Sequence, residues 1–296
     1  MGNILTKQFY RQRKDFEASC AGRDAGLTFP EGVICSTDIA YADDGIKAHM
    51  LDIYRPEDSQ EKILPVIINV HGGGLIIGNK EFNRYFCALL CKKGFLVYSI
   101  EYRLIPDCLI YDQIADVFMA MDYIKERLAA DGGDSSHVYM AGDSGGACLI
   151  TYANAIQNST NIARAANVTP SGLRINALGL ISGMFYTSRF DKIGLFLPKY
   201  LYGRDYKKTP FAKYVNPENR ELLNSLAPVW LVTSHNDFLR RYTTDFEKAL
   251  TRAEREHELV VFPKNKKLTH AFSVFEPFLP ESSAVIDMMV EYLRKF

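Results

Sequence analysis

The sequence predicts an α/β domain on a mostly parallel sheet, and three observations carry that expectation. Short apolar runs alternate with helix-patterned segments along most of the chain. The 296 residues, 47% of them hydrophobic, are enough to bury a large core. Two glycine clusters, His71-Gly72-Gly73-Gly74 and Gly142-Asp143-Ser144-Gly145-Gly146, each directly follow an apolar run, where parallel sheets carry their sites.

In chain order, residues 1–31 read as mainly helical and polar, with scattered Ile4, Leu5, Phe9, Tyr10 and Phe16, and are expected to form an N-terminal arm or cap. Two β-rich runs, 33–42 and 47–55, flank Asp43-Asp44-Gly45, whose Asp-Gly is a hairpin signal, so the sheet is expected to begin antiparallel. Further strands are expected at 64–70, 95–102, 137–143, 175–182, 228–235 and 258–263. Ile114, Val117, Phe118, Met121, Ile124 and Leu128 recur at helical spacing, giving one apolar face to cover the sheet. The segment from Pro280 onward opens with Pro, Glu and Ser and closes on basic residues, as a helix should. Residues 183–227, rich in Phe, Tyr, Lys and Pro, are too long for a simple connection and read as a cap inserted into one domain spanning 1–296.

Lys plus Arg equals Asp plus Glu at 35 each, with no long run of one sign, which argues against a nucleic-acid partner. The N-terminus has no apolar core of signal-peptide length, and no stretch approaches the ~18 apolar residues of a membrane span. A cytoplasmic protein is expected. Cys20, Cys35, Cys87, Cys91, Cys108 and Cys148 lack metal-site spacing and read as reduced and mostly buried, so neither metal nor cofactor is expected. Gly2 to Thr6 fits a lipidation pattern, and Asn158 and Asn167 head glycosylation patterns; all read as bystanders.

Gly142 to Gly146 fits G-x-S-x-G between an apolar strand and a helical run, the setting in which a strained turn projects a serine hydroxyl above the sheet. A phosphate cradle is the weaker reading, because neither G-x-x-x-x-G-K-[ST] nor a strand-linked G-x-G-x-x-G is present. The glycines after His71 let backbone amides converge on an oxyanion; Gly73, Gly74 and Gly145 are the expected donors. Taken singly, either cluster also reads as a structural turn or a flexible loop. A serine nucleophile needs a base, and the base an orienting carboxylate, in the chain order Ser, acid, His. His270, in the loop after the last expected strand, is the expected base. His257 reads as solvated on a charged helix, and His235 precedes the best acid and is expected to bond locally. Asp237, at a strand's C-terminal end, is the expected acid; Asp205 falls in the expected cap and Asp245 in a helix.

With His71-Gly72-Gly73-Gly74, Gly142 to Gly146, Asp237 and His270 in this order, the sequence resembles the hormone-sensitive-lipase-like family of α/β-hydrolase carboxylesterases. The likeness runs from about Leu51 to the C-terminus and includes Glu101-Tyr102-Arg103-Leu104-Ile105-Pro106-Asp107, similar to the family's Y-R-L-x-P-E. It implies the α/β-hydrolase fold, with about eight strands flanked by helices and a helical cap. It also implies a cofactor-independent serine esterase with catalytic Ser144, Asp237 and His270, acting on small-molecule esters of short acyl groups such as acetyl or butyryl. An amidase, formamidase or peptidase would use the same residues, and a ligand-binding relative without catalysis is the rival from another class. Three departures stand out: Gly145 replaces a frequent alanine, Asp107 replaces Glu, and Asp237 is followed by Phe238-Leu239-Arg240-Arg241 without the family's further acidic residues. The acyl length, the alcohol and the oligomeric state, monomer or homodimer, are left open.

Overall fold

A computed structural model describes residues 4–59 and 62–296. Gly2, the first residue of the lipidation pattern, lies outside them. The strands are β1 (Val33–Ala40), β2 (Met50–Pro56), β3 (Leu64–Val70), β4 (Leu96–Ile100), β5 (Gly133–Asp143), β6 (Ala177–Ile181), β7 (Val229–Ser234) and β8 (His257–Phe262). They form one eight-stranded sheet in the order β1-β2-β4-β3-β5-β6-β7-β8. β2 pairs antiparallel with β1, as the Asp-Gly turn predicts, and also with β4, and every later pairing is parallel.

Eleven α-helical segments accompany the sheet among the described residues: α1 (Ile4–Asp24), α2 (Arg84–Lys92), α3 (Ile110–Arg127), α4 (Ser144–Asn158), α5 (Thr160–Ala166), α6 (Lys192–Phe196), α7 (Pro198–Leu201), α8 (Arg220–Asn224), α9 (Arg240–Arg252), α10 (Phe272–Phe275) and α11 (Pro280–Leu293). Because side chains alternate across a strand, the sheet feeds two apolar clusters. Val66, Ile68 and Val70 of β3 join the cluster built with α3 and α4, whereas Ile67 joins the one built with α2 and α11. Both faces of the central strands are covered, which is why these strands read as unbroken apolar runs.

Residues 183–227 hold only short helices and 3-10 turns, since Pro198 and Pro210 each start a new segment and Gly203 takes a positive φ of 86°. The segment is nevertheless anchored. Phe211 is fully buried against Tyr111 of α3 and Tyr152 of α4, and the Tyr202 hydroxyl bonds to those of Tyr152 and Thr187 at 2.9 and 2.7 Å. One expectation is corrected: His257 opens β8, paired with Val229, and is half-buried, with Nδ1 donating to the Arg255 carbonyl at 2.7 Å. The charged flank disguised a strand whose apolar part begins at Leu259. No helix among the described residues is long and apolar enough to cross a membrane.

The chain leaves β3 toward β4 on one side and leaves β5 toward β6 on the other. The loops after β3 and β5 therefore part and open a crevice at the C-terminal strand ends. The register Val70↔Gly142 sets the loop that opens at His71 beside the turn that carries Ser144.

Candidate active site

Ser144 begins α4 with φ = 49°, a left-handed backbone that a residue with a Cβ adopts at a cost. The turn is held from both sides. The Met184 amide donates to the Ser144 carbonyl at 2.9 Å, and a Cβ on Gly146 would lie 2.1 Å from the Val70 carbonyl oxygen, so only glycine admits this approach of elbow to β3. The Gly145 amide belongs to the first turn of α4, where helical N–H groups have no intrahelical partner.

The loop after β3 is fixed by polar contacts behind it. Gly72 donates to the Asp143 carboxylate at 3.0 Å, and Asn83 Nδ2 donates to the same oxygen at 3.0 Å. Burial pushes the Asp143 carboxyl above its ordinary value, against the pull of Asn83, His270, His71 and the Gly72 amide. The His71 ring stacks on Tyr102, bonds to Glu101 Oε1 at 3.1 Å and donates to its neighbour's Gly72 carbonyl at 2.8 Å. Burial works against a charge on His71, but Glu101, the Gly72 carbonyl and Asp143 together outweigh it and the net shift is upward. Among the described residues, the Gly73 and Gly74 amides have no acceptor, and both glycines face the cavity that Ser144 lines. Two donors are thus left unspent beside the hydroxyl.

Asp237 follows β7 and His270 follows β8. His270 Nδ1 lies 2.8 Å from Asp237 Oδ1, which also accepts from the Leu239 amide at 2.7 Å; Oδ2 accepts from Thr233 Oγ1 at 2.9 Å. A backbone amide and a threonine hydroxyl thus satisfy the Asp237 carboxylate alongside His270. Burial tends to raise the Asp237 carboxyl, yet the bond and charge of His270, with further donors, bring it below its ordinary value. The Phe238 ring packs on His270, centroids 4.4 Å apart.

Ser144 and His270 line one cavity of about 420 Å³, a size common for small-molecule sites. Its walls are apolar: Ile76 and Ile77 from the glycine loop, Met184, Ile193 and Leu197 from 183–227, Phe238 and Leu239 beside Asp237, Phe275 from α10, and Phe16 from α1. The structure thus brings Ser144, His270, Gly73 and Gly74 to one cavity, with Asp237 behind His270 and Gly145 against the loop. A Cβ on Gly145 would lie 2.9 Å from the Leu75 nitrogen and 3.1 Å from that of Gly74, so the loop occupies the space an alanine would need. His235 is exposed and accepts from Arg240 at 2.8 Å, the local bond expected of it. Asp205 pairs with Lys208 and Asp245 with Arg189, leaving Asp237 as the acid that meets His270. Sequence reasoning missed Asp143, Asn83 and Phe16 as parts of the site. Asp143 sat inside the motif, but its partners lie 71 and 60 residues away, and spacing carries no sign of them.

The model of a family described by the alpha/beta hydrolase fold matches residues 67–273. A probable isoprenylcysteine alpha-carbonyl methylesterase of Oryza sativa subsp. japonica is 29% identical over 184 residues, 58% of this chain and 44% of that protein. Esterase LipQ of Mycobacterium tuberculosis is 32% identical over 120 residues, 40% of this chain and 28% of that protein. The chain spans less than half the length of these curated relatives. Among solved structures, esterase B of Lactobacillus rhamnosis inhibited by a tributyrin phosphonate has a TM-score of 0.92 at 22% identity, with 100% of this chain and 96% of that one covered.

The depressed Asp237 carboxyl makes a prediction about acid stability. Its folded pKa lies below the unfolded value of about 3.9, so its stabilising contribution is full above that value and is lost as pH falls through the folded pKa. Urea denaturation against pH should find the wild type more stable than Asp237→Asn at neutral pH, with the gap closing below about pH 4. A gap that persists unchanged at lower pH would contradict the assignment.

Proposed function

The chain belongs to the α/β-hydrolase-fold family whose model its residues 67–273 match, and we propose that it is a serine carboxylesterase acting on short-chain acyl esters. What supports this most is one juxtaposition: a strained Ser144, a His270 whose Nδ1 is held by Asp237, and two unpaired glycine amides at a single apolar cavity. The names of the plant methylesterase, LipQ and esterase B point toward ester rather than amide substrates.

In this mechanism Ser144 Oγ attacks the ester carbonyl. His270 takes the hydroxyl proton at Nε2, which is the basic nitrogen because Nδ1–H donates to Asp237. Asp237 fixes that tautomer and stabilises the imidazolium. The tetrahedral oxyanion is received by the amides of Gly73, Gly74 and Gly145. His270 then protonates the departing alcohol, and the acyl-enzyme is hydrolysed by a water that His270 activates in turn. No cofactor enters these steps.

The cap assignment for 1–31 and 183–227 draws support from the cavity itself, since Phe16 of α1 and Ile193 and Leu197 of the insertion form part of its wall. A cavity of about 420 Å³ has room for a whole small ester, and the short-chain preference leans on the tributyrin phosphonate that inhibits esterase B. All six cysteines are free, which suits a reducing compartment such as the cytoplasm.

Ser144→Ala is expected to abolish hydrolysis of p-nitrophenyl acetate while leaving the circular dichroism spectrum unchanged; retained turnover would remove Ser144 as nucleophile. Across p-nitrophenyl esters the wild type should favour acetate or butyrate over decanoate, and it should cleave a matched anilide far more slowly. Faster anilide turnover would replace the esterase with an amidase. Gly145→Ala is expected to displace the glycine loop and lower kcat, by at most the ~10²–10³ of a lost oxyanion donor, with a smaller change in KM. Unchanged kcat would mean that the loop yields without cost.

A further inference from the structure

α1 carries few of the contacts that hold a core helix, since only Phe9 and Cys20 along it are buried among the described residues. Its attachment is largely polar and made at two places: near its C-terminal end Arg23 donates to the Phe82 carbonyl at 2.9 Å, and nearer the glycine loop the contacts gather on Arg13. Arg13 Nε donates to the Ile76 carbonyl at 2.7 Å, Nη2 donates to the carbonyls of Leu104 and Ile105 at 2.9 and 2.6 Å, and Nη1 donates to Asp107 Oδ2 at 2.7 Å. The Tyr10 hydroxyl donates to the other oxygen of Asp107. The Arg13 side chain is only 17% exposed, so its bonds to the three carbonyls are partly buried, while the pair with Asp107 lies nearer the solvent.

The placement of Ile76 gives the clamp its consequence. The amides of Ile76 and Ile77 both donate to the Gly73 carbonyl, closing a turn whose first peptide units carry the unpaired Gly73 and Gly74 amides. The Leu75 carbonyl on the same turn accepts from the Ile105 amide and from Gln113 Nε2. Arg13 therefore bridges the glycine turn to residues 104–107 from outside, while Phe16, one helical turn further along, lines the cavity and packs on Phe82. Only a planar guanidinium can span three carbonyls and a carboxylate at once; an ammonium offers a point charge.

We propose that Arg13 is a positioning residue for the oxyanion hole: seating α1 over the cavity and fixing the Gly73-Gly74 turn are one event, made through this guanidinium. The proposal rests on the esterase reading above. It also accounts for Asp107 at the position where the resembling family has Glu, because the shorter carboxylate meets Arg13 and Tyr10 of this chain's own helix.

The test uses the full-length protein, its Arg13→Ala and Arg13→Lys variants, and Arg11→Ala, an exposed residue on the same helix, as the control. With p-nitrophenyl acetate, Arg13→Ala should lose about 10–10²-fold in kcat with KM near the wild-type value, as expected for donors displaced by a fraction of an ångström. Added methylguanidinium should recover part of that loss. Arg13→Lys, which keeps the stem and the charge, should fold and still fall short of wild type, and Arg11→Ala should match it. Hydrogen exchange at the Ile76 and Ile77 amides should quicken in both Arg13 variants. Unchanged kcat, or a loss expressed only in KM with exchange unaltered, would overturn the proposal. If the wild type hydrolyses no ester, the esterase reading fails, and exchange at Ile76 and Ile77 still decides the clamp: faster upholds it, unchanged removes it.

Discussion

The contact between the end of β3 and the turn after β5 is the constraint on which the rest of this site depends. Parallel pairing through Val70 and Gly142 brings two chain segments 72 residues apart into register, and the absence of a side chain at Gly146 lets the turn press against the β3 backbone. Once that approach is fixed, the helix that begins at Ser144 must point its first amides toward the loop carrying Gly73 and Gly74. The strain in φ at Ser144 is held by this same packing, with the Met184 amide bonded to its carbonyl from the far side.

Behind the glycine loop lies a buried polar layer, one of whose members, Asp143, also lines the cavity. Asp143 accepts from the Gly72 amide and Asn83, and Glu101 joins the His71 ring to the Lys80 amide. Lys80 itself is buried against Asp52 and further paired with Asp38 and Glu81. Such groups are expensive to desolvate and contribute little net stability, but they impose one orientation on the backbone they hold. Here that orientation leaves the Gly73 and Gly74 amides free. A loop stabilised by spending those two donors internally would have none left for an anion.

Much of the fold was legible because its signals are local. The run 64–70 coincides with β3, the alternation of strand and helix gives the parallel sheet, and Asp43-Asp44-Gly45 gives its antiparallel start. Ser144, Asp237 and His270 stood out because chain order and strand ends constrain where a nucleophile, an acid and a base can meet; the structure brings His270 to Asp237 and to the cavity of Ser144. What stayed hidden depends on contacts without a sequence period. Arg13 reaches Ile76 across 63 residues, Asn83 reaches Asp143 across 60, and Phe16 looked like one of several apolar residues on a polar helix. His257 was misplaced for the opposite reason, since a dense local charge pattern outweighed a strand that pairs with β7.

The central claim is that Ser144 is a nucleophile activated in place by this architecture. Intact-mass analysis after incubation with a fluorophosphonate, followed by peptide mapping, tests it most directly. The account predicts one phosphonyl group per chain, carried on Ser144 and absent from Ser144→Ala. An unreactive wild type, or an adduct that survives the substitution, would contradict it.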